Sequence, residues 1–459
     1  MSAEADHVYD VVIVGAGSGG YACALRAAQL GLTVALVERD KLGGTCLHRG
    51  CIPTKALLHA AEVADVARDG ARFGVQSSVS GIDMPTVLSY QGSVVSRLYK
   101  GLQGLVNSAG IDFVEGSAQV TSPTTVTVGE RVLQGRNLVI ATGSTSRTIP
   151  GVTVGGRVLS SDEALQADSV PGSVIVLGGG VIGVEFASAW RSLGAEVTIL
   201  EALPRLVAAE DPAISKQLTR AFTRRGIKVR TDTRVTGVTQ DDSSVTVEIE
   251  GADPLTADVL LVAVGRGPVT AGLGLEEIGV VTDRGFVLTD DHLRTNLPHV
   301  YAVGDIVPGL QLAHRGFAHG IFVAEQIAGL SPAPVSDTTI PRVTYCDPEI
   351  ASVGLTEAQA RESDSGVTTY EYSLGGNGKS QILGTQGFVK LVKSSTGQVV
   401  GVHMIGARMG EQIGEAQLIV GWEGTPEDVA PLIHAHPTQN EALGEAHLAL
   451  AGKPLHAHA

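Results

Sequence analysis

The sequence predicts an α/β protein with two similar parallel-sheet domains and a C-terminal α+β domain. Residues 9–38 and 172–201 each run from an apolar β-type stretch through a glycine cluster and a helical stretch to a second apolar stretch ending in Glu. In both segments the first glycine of the cluster lies 23 residues before that Glu. Each segment therefore predicts a βαβ unit, and the repeat predicts one unit in each of two domains.

Further strands and helices are predicted between and after the two repeats. Residues 137–143 and 259–265 are short apolar runs, each following a Thr- and Val-rich alternating stretch, so each parallel sheet is expected to close after a β excursion. In the last part of the chain, antiparallel strands are predicted at 343–345, 387–393 and 398–405, and helices at 410–421 and 440–451. With boundaries at Pro- and Gly-rich positions, the predicted domains are 1–150, 151–270, 271–341 and 342–459.

Composition and charge exclude several classes of protein. The 459 residues are 43% hydrophobic and include 58 glycines without a collagen period, which excludes a disordered or collagen-like chain. Forty-eight acidic and 33 basic residues give a net charge of −15, which argues against nucleic acid or an anionic membrane as partner. The N-terminus lacks a signal-peptide pattern, no apolar run would span a bilayer, and four cysteines are too few for a secreted disulfide framework. A cytoplasmic protein is expected.

The glycine clusters have the spacing of a dinucleotide-binding fingerprint. The spaced glycines are Gly15, Gly17 and Gly20 in the first cluster and Gly178, Gly180 and Gly183 in the second. Between a strand and a helix, the first glycine permits a tight turn, the second lets the backbone approach a pyrophosphate, and the third allows close packing. The pyrophosphate would lie on the helix N-terminus, where N–H groups favour negative charge. Two Rossmann-like domains are therefore predicted.

The acid after each second strand predicts how an adenosine ribose is bound. Glu38 and Glu201 are placed to accept hydrogen bonds from ribose hydroxyls. A carboxylate at Glu201 would also repel a 2′-phosphate, which favours NAD over NADP. Arg205 lies nearby in the sequence and weakens this preference slightly.

A pair of cysteines is the strongest catalytic signal. Cys46 and Cys51 form a C-x4-C pair in the segment GGTCLHRGCIPTK. Zinc would need further ligands at comparable spacing, and only Cys23 and Cys346 remain. A structural disulfide closing so short a loop would stabilise the fold by roughly 2 kcal/mol and would tend to be reduced in a cytoplasm. A redox-cycling disulfide at the start of a helix, where a thiolate pKa is lowered, fits best.

These motifs, with YAVGD at residues 301–305 and HPTQNE at 436–441, resemble the flavin disulfide reductases of the class I pyridine nucleotide-disulfide oxidoreductase family. The resemblance covers nearly the whole chain and is greatest to the members that oxidise dihydrolipoamide. It implies an FAD domain, an NAD domain, a central domain completing the FAD site and a C-terminal dimerisation domain. It further implies a homodimer whose partners are the lipoyl domains of 2-oxo acid dehydrogenase or glycine-cleavage complexes.

The resemblance also implies which residues bind the cofactors. The implied FAD contacts are Gly15, Gly17, Gly20, Glu38, Lys55, Ala118, Asp305 and Ala313. The implied NAD contacts are Gly178, Gly180, Gly183, Glu185, Glu201, Val235 and Gly265, with Glu185 at the nicotinamide face and paired with Lys55. No metal is expected.

For catalysis, the resemblance implies that Cys46 exchanges with substrate and that Cys51 contacts the flavin. His436, rather than the neighbouring His434, would be the base, and Glu441 would orient it. The implied reaction oxidises dihydrolipoamide to lipoamide and reduces NAD+ to NADH through FAD. The alternative is an NADPH-dependent reductase of a small thiol disulfide such as glutathione or mycothione, which Glu201 opposes. A flavin-binding subunit without turnover is a third hypothesis, opposed by the complete cysteine and histidine set.

The spacer of the cysteine pair departs from the family pattern. His48 and Arg49 stand where members often have Asn-Val. Either they alter the redox potential and thiolate pKa of the pair, or they are surface side chains.

Overall fold

The structure is a computed structural model that describes residues 7–457. The first six residues, part of the stretch that lacks a signal-peptide pattern, lie outside the described residues. The chain forms two compact units. The first contains the residues up to Ala56, Pro85–Arg147 and Arg266–Asp337, and the second contains Leu57–Met84, Thr148–Gly265 and the residues from Thr338 on.

The secondary structure combines βαβ segments with long runs of consecutive strands. The strands are β1 (Val8–Val14), β2 (Val34–Glu38), β3 (Asp112–Glu115), β4 (Ala118–Ser122), β5 (Thr125–Val128), β6 (Arg131–Ile140), β7 (Ser144–Ser146), β8 (Val158–Leu159), β9 (Ser173–Leu177), β10 (Glu196–Leu200), β11 (Lys228–Arg230), β12 (Val235–Gln240), β13 (Val245–Ile249), β14 (Ala252–Ala257), β15 (Val259–Val262), β16 (Arg266–Pro268), β17 (Thr282–Asp283), β18 (Phe286–Val287), β19 (Val300–Ala302), β20 (Arg342–Thr344), β21 (Glu349–Gly354), β22 (Thr368–Ser373), β23 (Phe388–Lys393) and β24 (Val399–Gly406). The helices are α1 (Ser18–Gln29), α2 (Gly44–Arg49), α3 (Cys51–Asp69), α4 (Met84–Ser108), α5 (Ser161–Ala164), α6 (Val181–Leu193), α7 (Pro212–Arg224), α8 (Ala313–Ile327), α9 (Glu357–Ser363), α10 (Gly378–Leu383), α11 (Met409–Gly421), α12 (Pro426–Val429) and α13 (Glu441–Leu450).

The first unit is built on a seven-stranded sheet in the order β3-β2-β1-β6-β5-β4, with β19 also paired to β6. β1 is central, and its residues from Val11 to Val14 are buried because both faces of the parallel sheet are covered. Helices α1 and α8 pack closely through glycines, since a Cβ on Gly320 would lie 2.3 Å from the carbonyl oxygen of Gly19. This packing holds the N-terminus of α1 against the end of the sheet.

Within the described residues, the second unit contains three sheets. A parallel sheet has the order β11-β10-β9-β15-β8, and an antiparallel sheet has the order β12-β13-β14. The antiparallel sheet β20-β21-β24-β23-β22 packs one apolar face on α11 and α13, around Val402, Met404 and Leu443. The alternation along these strands places polar side chains on the opposite face.

The predicted fold class is confirmed: two repeated βαβ units are followed by an antiparallel α+β region. The two β excursions differ, however. β4 and β5 join the first parallel sheet because β6 is ten residues long, and its first residues extend beyond β1 to pair with β5. β15 has only four residues, and β12–β14 form a separate sheet.

Among the helices of residues 7–457, none is both long and apolar enough to cross a membrane.

Candidate functional site

The first glycine loop is shaped by contacts that exclude side chains at two of its three glycines. Gly15 has a φ of +99°, and a Cβ there would lie 2.4 Å from the carbonyl oxygen of Ala141. A Cβ on Gly20 would lie 1.8 Å from the carbonyl oxygen of Gly15. A Cβ on Gly17 would meet no atom of the described residues within 4 Å. The outer two glycines therefore close the turn, and the middle one faces open space.

The second glycine loop repeats this geometry. Gly178 has a φ of +110°, and a Cβ on it would lie 2.3 Å from the carbonyl oxygen of Ala263. A Cβ on Gly183 would lie 1.9 Å from the carbonyl oxygen of Gly178, whereas one on Gly180 would meet nothing within 4 Å in residues 7–457. Both loops thus leave their middle glycine accessible to a ligand at the N-terminus of a helix.

The acids that follow the second strands bind the glycine loops directly. Glu38 Oε2 accepts a hydrogen bond from the N–H of Ala16 at 2.8 Å, and its Oε1 accepts one from Asp40 at 3.0 Å. Burial raises the pKa of Glu38, although backbone hydrogen bonds from Ala16 and Arg39 act in the opposite direction. The sequence predicted a ribose acceptor here and missed this second role.

A pocket beside the first loop brings three predicted FAD contacts together. Gly15, Glu38 and Ala118 all line it. The other lining residues are Val14, Val37, Arg39, Gly116, Thr142, Val269 and Leu273. The pocket therefore combines the half-buried carboxylate of Glu38 with a mostly apolar wall, as expected for a base and ribose site.

Asp305 belongs to a hydrogen-bonded network that the sequence did not predict. Ser144 Oγ donates to Asp305 Oδ2 at 2.6 Å. Arg266 donates from Nε to Ser144 Oγ at 2.8 Å and from Nη2 to Ser144 O at 2.7 Å. Ser144 and Arg266 each follow the glycine that ends a predicted apolar strand, and this shared position was the available signal. Ala313, another predicted FAD contact, is the first residue of α8.

The two cysteines stand on either side of a helix break. Cys46 is the third residue of α2 and Cys51 is the first residue of α3, with Gly50 between the helices. The thiols contact each other, and the Cys51 side chain and burial raise the pKa of Cys46 above its usual range, while Lys55 acts to lower it. At Cys46, burial and the second thiol therefore outweigh any lowering of the thiol pKa by a helix. The lowered pKa expected at the start of a helix concerns Cys51, the first residue of α3, and stays a prediction.

The other groups around the cysteine pair have separate contacts. His48 Nε2 lies 2.9 Å from the carbonyl oxygen of Leu42, and its ring packs edge-on against Tyr99. Arg49 forms an ion pair with Asp40. Burial, together with the nearby Cys46 and Cys51, raises the pKa of Tyr21 to about 12. His48 and Arg49 thus serve local structure.

Cys23 and Cys346 are buried, as expected for structural thiols. Burial raises the pKa of Cys23 to about 12 and raises that of Cys346 well above its ordinary value. Within residues 7–457, no group of three or more His, Cys, Asp or Glu side chains could hold a metal ion.

His436 and Glu441 form a hydrogen-bonded pair at the N-terminus of α13. His436 Nδ1 lies 2.8 Å from Glu441 Oε1, and Glu441 Oε2 accepts from the N–H of Thr438 at 2.8 Å. Although partial burial opposes it, these two bonds lower the pKa of Glu441. The His436 side chain is 76% exposed, so its ring can meet a group outside this unit.

The predicted NAD contacts outside the glycine loop all lie in the second unit. Glu185 is buried on α6, where its Oε1 accepts from the N–H of Tyr345 at 2.9 Å. Val235 begins β12, and Gly265 follows β15 with a φ of +112°. Glu201 follows β10 and contacts the second glycine loop at Gly179.

Comparison with known proteins agrees with this geometry. Residues 9–320 match the pyridine nucleotide-disulphide oxidoreductase family model, and residues 340–447 match its dimerisation domain. The chain is 41% identical to a dihydrolipoyl dehydrogenase of Bacillus subtilis, over 98% of this chain and 99% of the relative. It is 40% identical to a dihydrolipoyl dehydrogenase of Chlorobaculum tepidum, over 95% of this chain and 96% of the relative.

Solved structures show the same fold over nearly the whole chain. The crystal structure of LpdA from Mycobacterium tuberculosis superimposes with a TM-score of 0.90 at 25% identity, covering 96% of this chain and 99% of that one. The flavoprotein disulfide reductase RclA from Escherichia coli does so with a TM-score of 0.86 at 28% identity, covering 96% and 99%. The chain therefore belongs to the pyridine nucleotide-disulphide oxidoreductase family.

Proposed function

We propose that this chain is a dihydrolipoamide dehydrogenase: a homodimeric flavoprotein that oxidises dihydrolipoamide to lipoamide and reduces NAD+ to NADH. The observation that carries the proposal is the contact between the Cys46 and Cys51 thiols at the start of α3. A redox-active pair of this kind fits a substrate that is itself a dithiol. The 41% identity to a dihydrolipoyl dehydrogenase over the full chain supports the same substrate class.

FAD is the flavin that the first unit is proposed to hold. Gly17 faces open space at the N-terminus of α1, and the pocket lined by Gly15, Glu38 and Ala118 offers a carboxylate and apolar side chains to an adenosine moiety. Lys55, Asp305 and Ala313 are proposed to contact the remainder of the molecule. FAD bound there would supply two-electron transfer between the cysteine pair and the nicotinamide.

The thiol chemistry is assigned to the cysteines and to His436. A thiolate of dihydrolipoamide attacks the Cys46 sulfur of the oxidised pair, and the Cys46–Cys51 bond breaks with Cys51 leaving as thiolate. The second substrate thiol then attacks the mixed disulfide, which releases lipoamide and leaves Cys46 reduced. The substrate loses two electrons and two protons. With Nδ1–H donated to Glu441, His436 Nε2 has the lone pair that accepts a thiol proton.

NAD is the proposed partner of the second glycine loop. Arg205 is the nearby cation that weakens the predicted preference for NAD over NADP. Its Nη2 donates to the carbonyl oxygen of Ala208 at 2.7 Å. A guanidinium held on backbone carbonyls is poorly placed to neutralise a 2′-phosphate beside Glu201. Gly180, Gly183, Glu185, Val235 and Gly265 are proposed to complete the site.

The predicted domains and partners belong to the same proposal. Residues 1–150 and 271–341 would form the FAD site, 151–270 would bind NAD, and 342–459 would form the dimer interface, in agreement with the dimerisation-domain match. Lipoyl domains of 2-oxo acid dehydrogenase or glycine-cleavage complexes would deliver the dithiol in the cytoplasm.

A steady-state assay of the purified protein tests the proposal. Dihydrolipoamide with NAD+ should give NADH, and the protein should be yellow and release FAD on denaturation. Glutathione disulfide with NADPH should give no turnover. Rapid NADPH oxidation with a small thiol disulfide, without dihydrolipoamide oxidation, would overturn the assigned substrate.

A further inference from the structure

The loop that carries His436 is held on both sides by a single carboxylate. Glu415 lies on α11, and its Oε1 is 2.8 Å from His434 Nε2. Its other oxygen, Oε2, accepts a hydrogen bond from Asn440 Nδ2. His434 is two residues before His436 and Asn440 is four residues after it. Glu415 therefore fixes both ends of the segment 434–440.

His434 is fixed a second time by the helix that follows this loop. Its ring lies against Gly444 of α13, where a Cβ would be 2.5 Å from His434 Nδ1. The His434 side chain is 12% exposed, whereas that of His436 is 76% exposed. The two neighbouring histidines are thus separated by environment: one is locked between α11 and α13, and the other faces outward.

Charge reinforces this arrangement. Glu415 raises the pKa of His434 despite partial burial, and His434 in turn helps to lower the pKa of Glu441. His447, on α13, faces His434 and Glu415. Burial lowers the pKa of His447, and its Nε2 has no hydrogen-bond partner among the described residues. The groups around His434 are therefore two carboxylates, on α11 and α13, and a histidine whose pKa burial lowers.

We propose that Glu415 is a positioning residue for the thiol reaction, acting through His434 and Asn440 to hold the loop in which His436 and Glu441 share their hydrogen bond. The inference rests on the proposed function, because only there does His436 act as the thiol base. Glu415 itself need not contact substrate. Its carboxylate fixes the position of the loop, and Glu441 fixes the orientation of the His436 imidazole. Together they restrict the geometry in which His436 accepts the proton.

Replacing Glu415 with Gln tests the proposal with little change in shape. A positioned base contributes about 10²- to 10⁴-fold, so partial misplacement should lower kcat for dihydrolipoamide oxidation roughly ten- to hundredfold. Reduction of ferricyanide by NADH, which needs no thiol base, should be unchanged. The matched control is Glu411→Gln, an exposed acid on the same helix, which should leave both rates unchanged.

Two further variants separate positioning from a general structural effect. His434→Gln can still donate to Glu415 and should keep most of the activity, whereas His434→Leu should lose as much as Glu415→Gln. Added to His436→Ala, Glu415→Gln should cause no further loss of turnover, because it acts through His436. A further tenfold loss in that double variant, or a Glu415→Gln enzyme with wild-type kcat, would overturn the inference.

The two proposals fail in different ways. If His436→Ala itself leaves dihydrolipoamide turnover intact, the assignment of the base is wrong. If His436→Ala abolishes turnover and Glu415→Gln does not reduce it, only the positioning role is wrong. FAD content and the midpoint of thermal unfolding, measured for every variant, identify any loss that comes from misfolding.

Discussion

Glu201 Oε2 accepts a hydrogen bond from the N–H of Gly179 at 2.5 Å, inside the second glycine loop. Its Oε1 accepts a second bond from Leu203 at 2.7 Å. Glu38 accepts the two equivalent bonds at the first loop, from the N–H groups of Ala16 and Asp40. The residue that is proposed to select the dinucleotide therefore also shapes the loop that would hold its pyrophosphate.

This double role sharpens the prediction for cofactor choice. We expect NAD+ to exceed NADP+ in kcat/KM by about two orders of magnitude or more, because like charges placed together cost several kcal/mol and every 1.36 kcal/mol is tenfold. Glu201→Gln keeps one oxygen that can accept a hydrogen bond from the loop and removes the charge. It should therefore reduce the ratio of kcat/KM for NAD+ to that for NADP+. Glu196→Gln, an exposed acid on β10, should not change it. Equal use of both cofactors by the unmodified enzyme would contradict the prediction.

The open face of Gly17 predicts a protein that folds but binds FAD weakly. Its φ of −72° is accessible to alanine, and an added Cβ would project into the space proposed for the pyrophosphate. Gly17→Ala should therefore keep the circular dichroism of the wild type and lose most of its flavin absorbance per chain. Gly20→Ala should instead fail to fold, because its Cβ would overlap a carbonyl oxygen. Full flavin content in Gly17→Ala would refute the assigned site.

The raised pKa of Cys46 predicts that its reactivity depends on an external base. A thiol whose pKa is raised stays protonated at neutral pH and ionises at a higher pH than an ordinary cysteine. In the reduced enzyme, His436→Ala should therefore slow alkylation of Cys46 by iodoacetamide at pH 7. The two enzymes should react at similar rates when the pH is high enough to ionise the thiol directly. His59→Ala, an exposed histidine, serves as control, and equal rates at pH 7 would count against the prediction.

His436 is predicted to act on Cys46 of the neighbouring chain. Chains carrying Cys46→Ala and His436→Ala should each be inactive as homodimers with dihydrolipoamide. Co-expressed with two different tags and purified as heterodimers, they would have one site with both groups mutated and one with both intact, so activity should return. If the two residues act within one chain, every site stays defective and the heterodimer stays inactive.

The repeated offsets predicted both βαβ units, because the distance from glycine to acid is set by one helix and one strand. The pattern identified Glu38 and Glu201 as strand-end acids, but it could not show that loop amides would turn toward them. The network of Arg266, Ser144 and Asp305 joins three separate parts of the chain, so no local pattern contains it.

The raised pKa of Cys46 has the same origin. The position of a thiol near a helix end is visible in the sequence, and it predicts a lowered pKa. Burial and the contact with Cys51 are properties of the folded chain, and they act more strongly in the opposite direction. Likewise, the contacts of His434 with Glu415 on α11 and with Gly444 on α13 are properties of the folded chain.

The pairing of β19 with β6 has a consequence for synthesis on the ribosome. β6 ends at Ile140 and β19 begins at Val300, so the first sheet cannot be completed until the residues of the second parallel sheet have all been translated. Domains generally fold in the order in which they emerge. Here the second parallel sheet, which ends with β15 at Val262, is translated in full while the first still lacks its last strand. The N-terminal part of the nascent chain must therefore wait, with residues 138–140 at the end of β6 unpaired on one side, for a strand that arrives about 160 residues later.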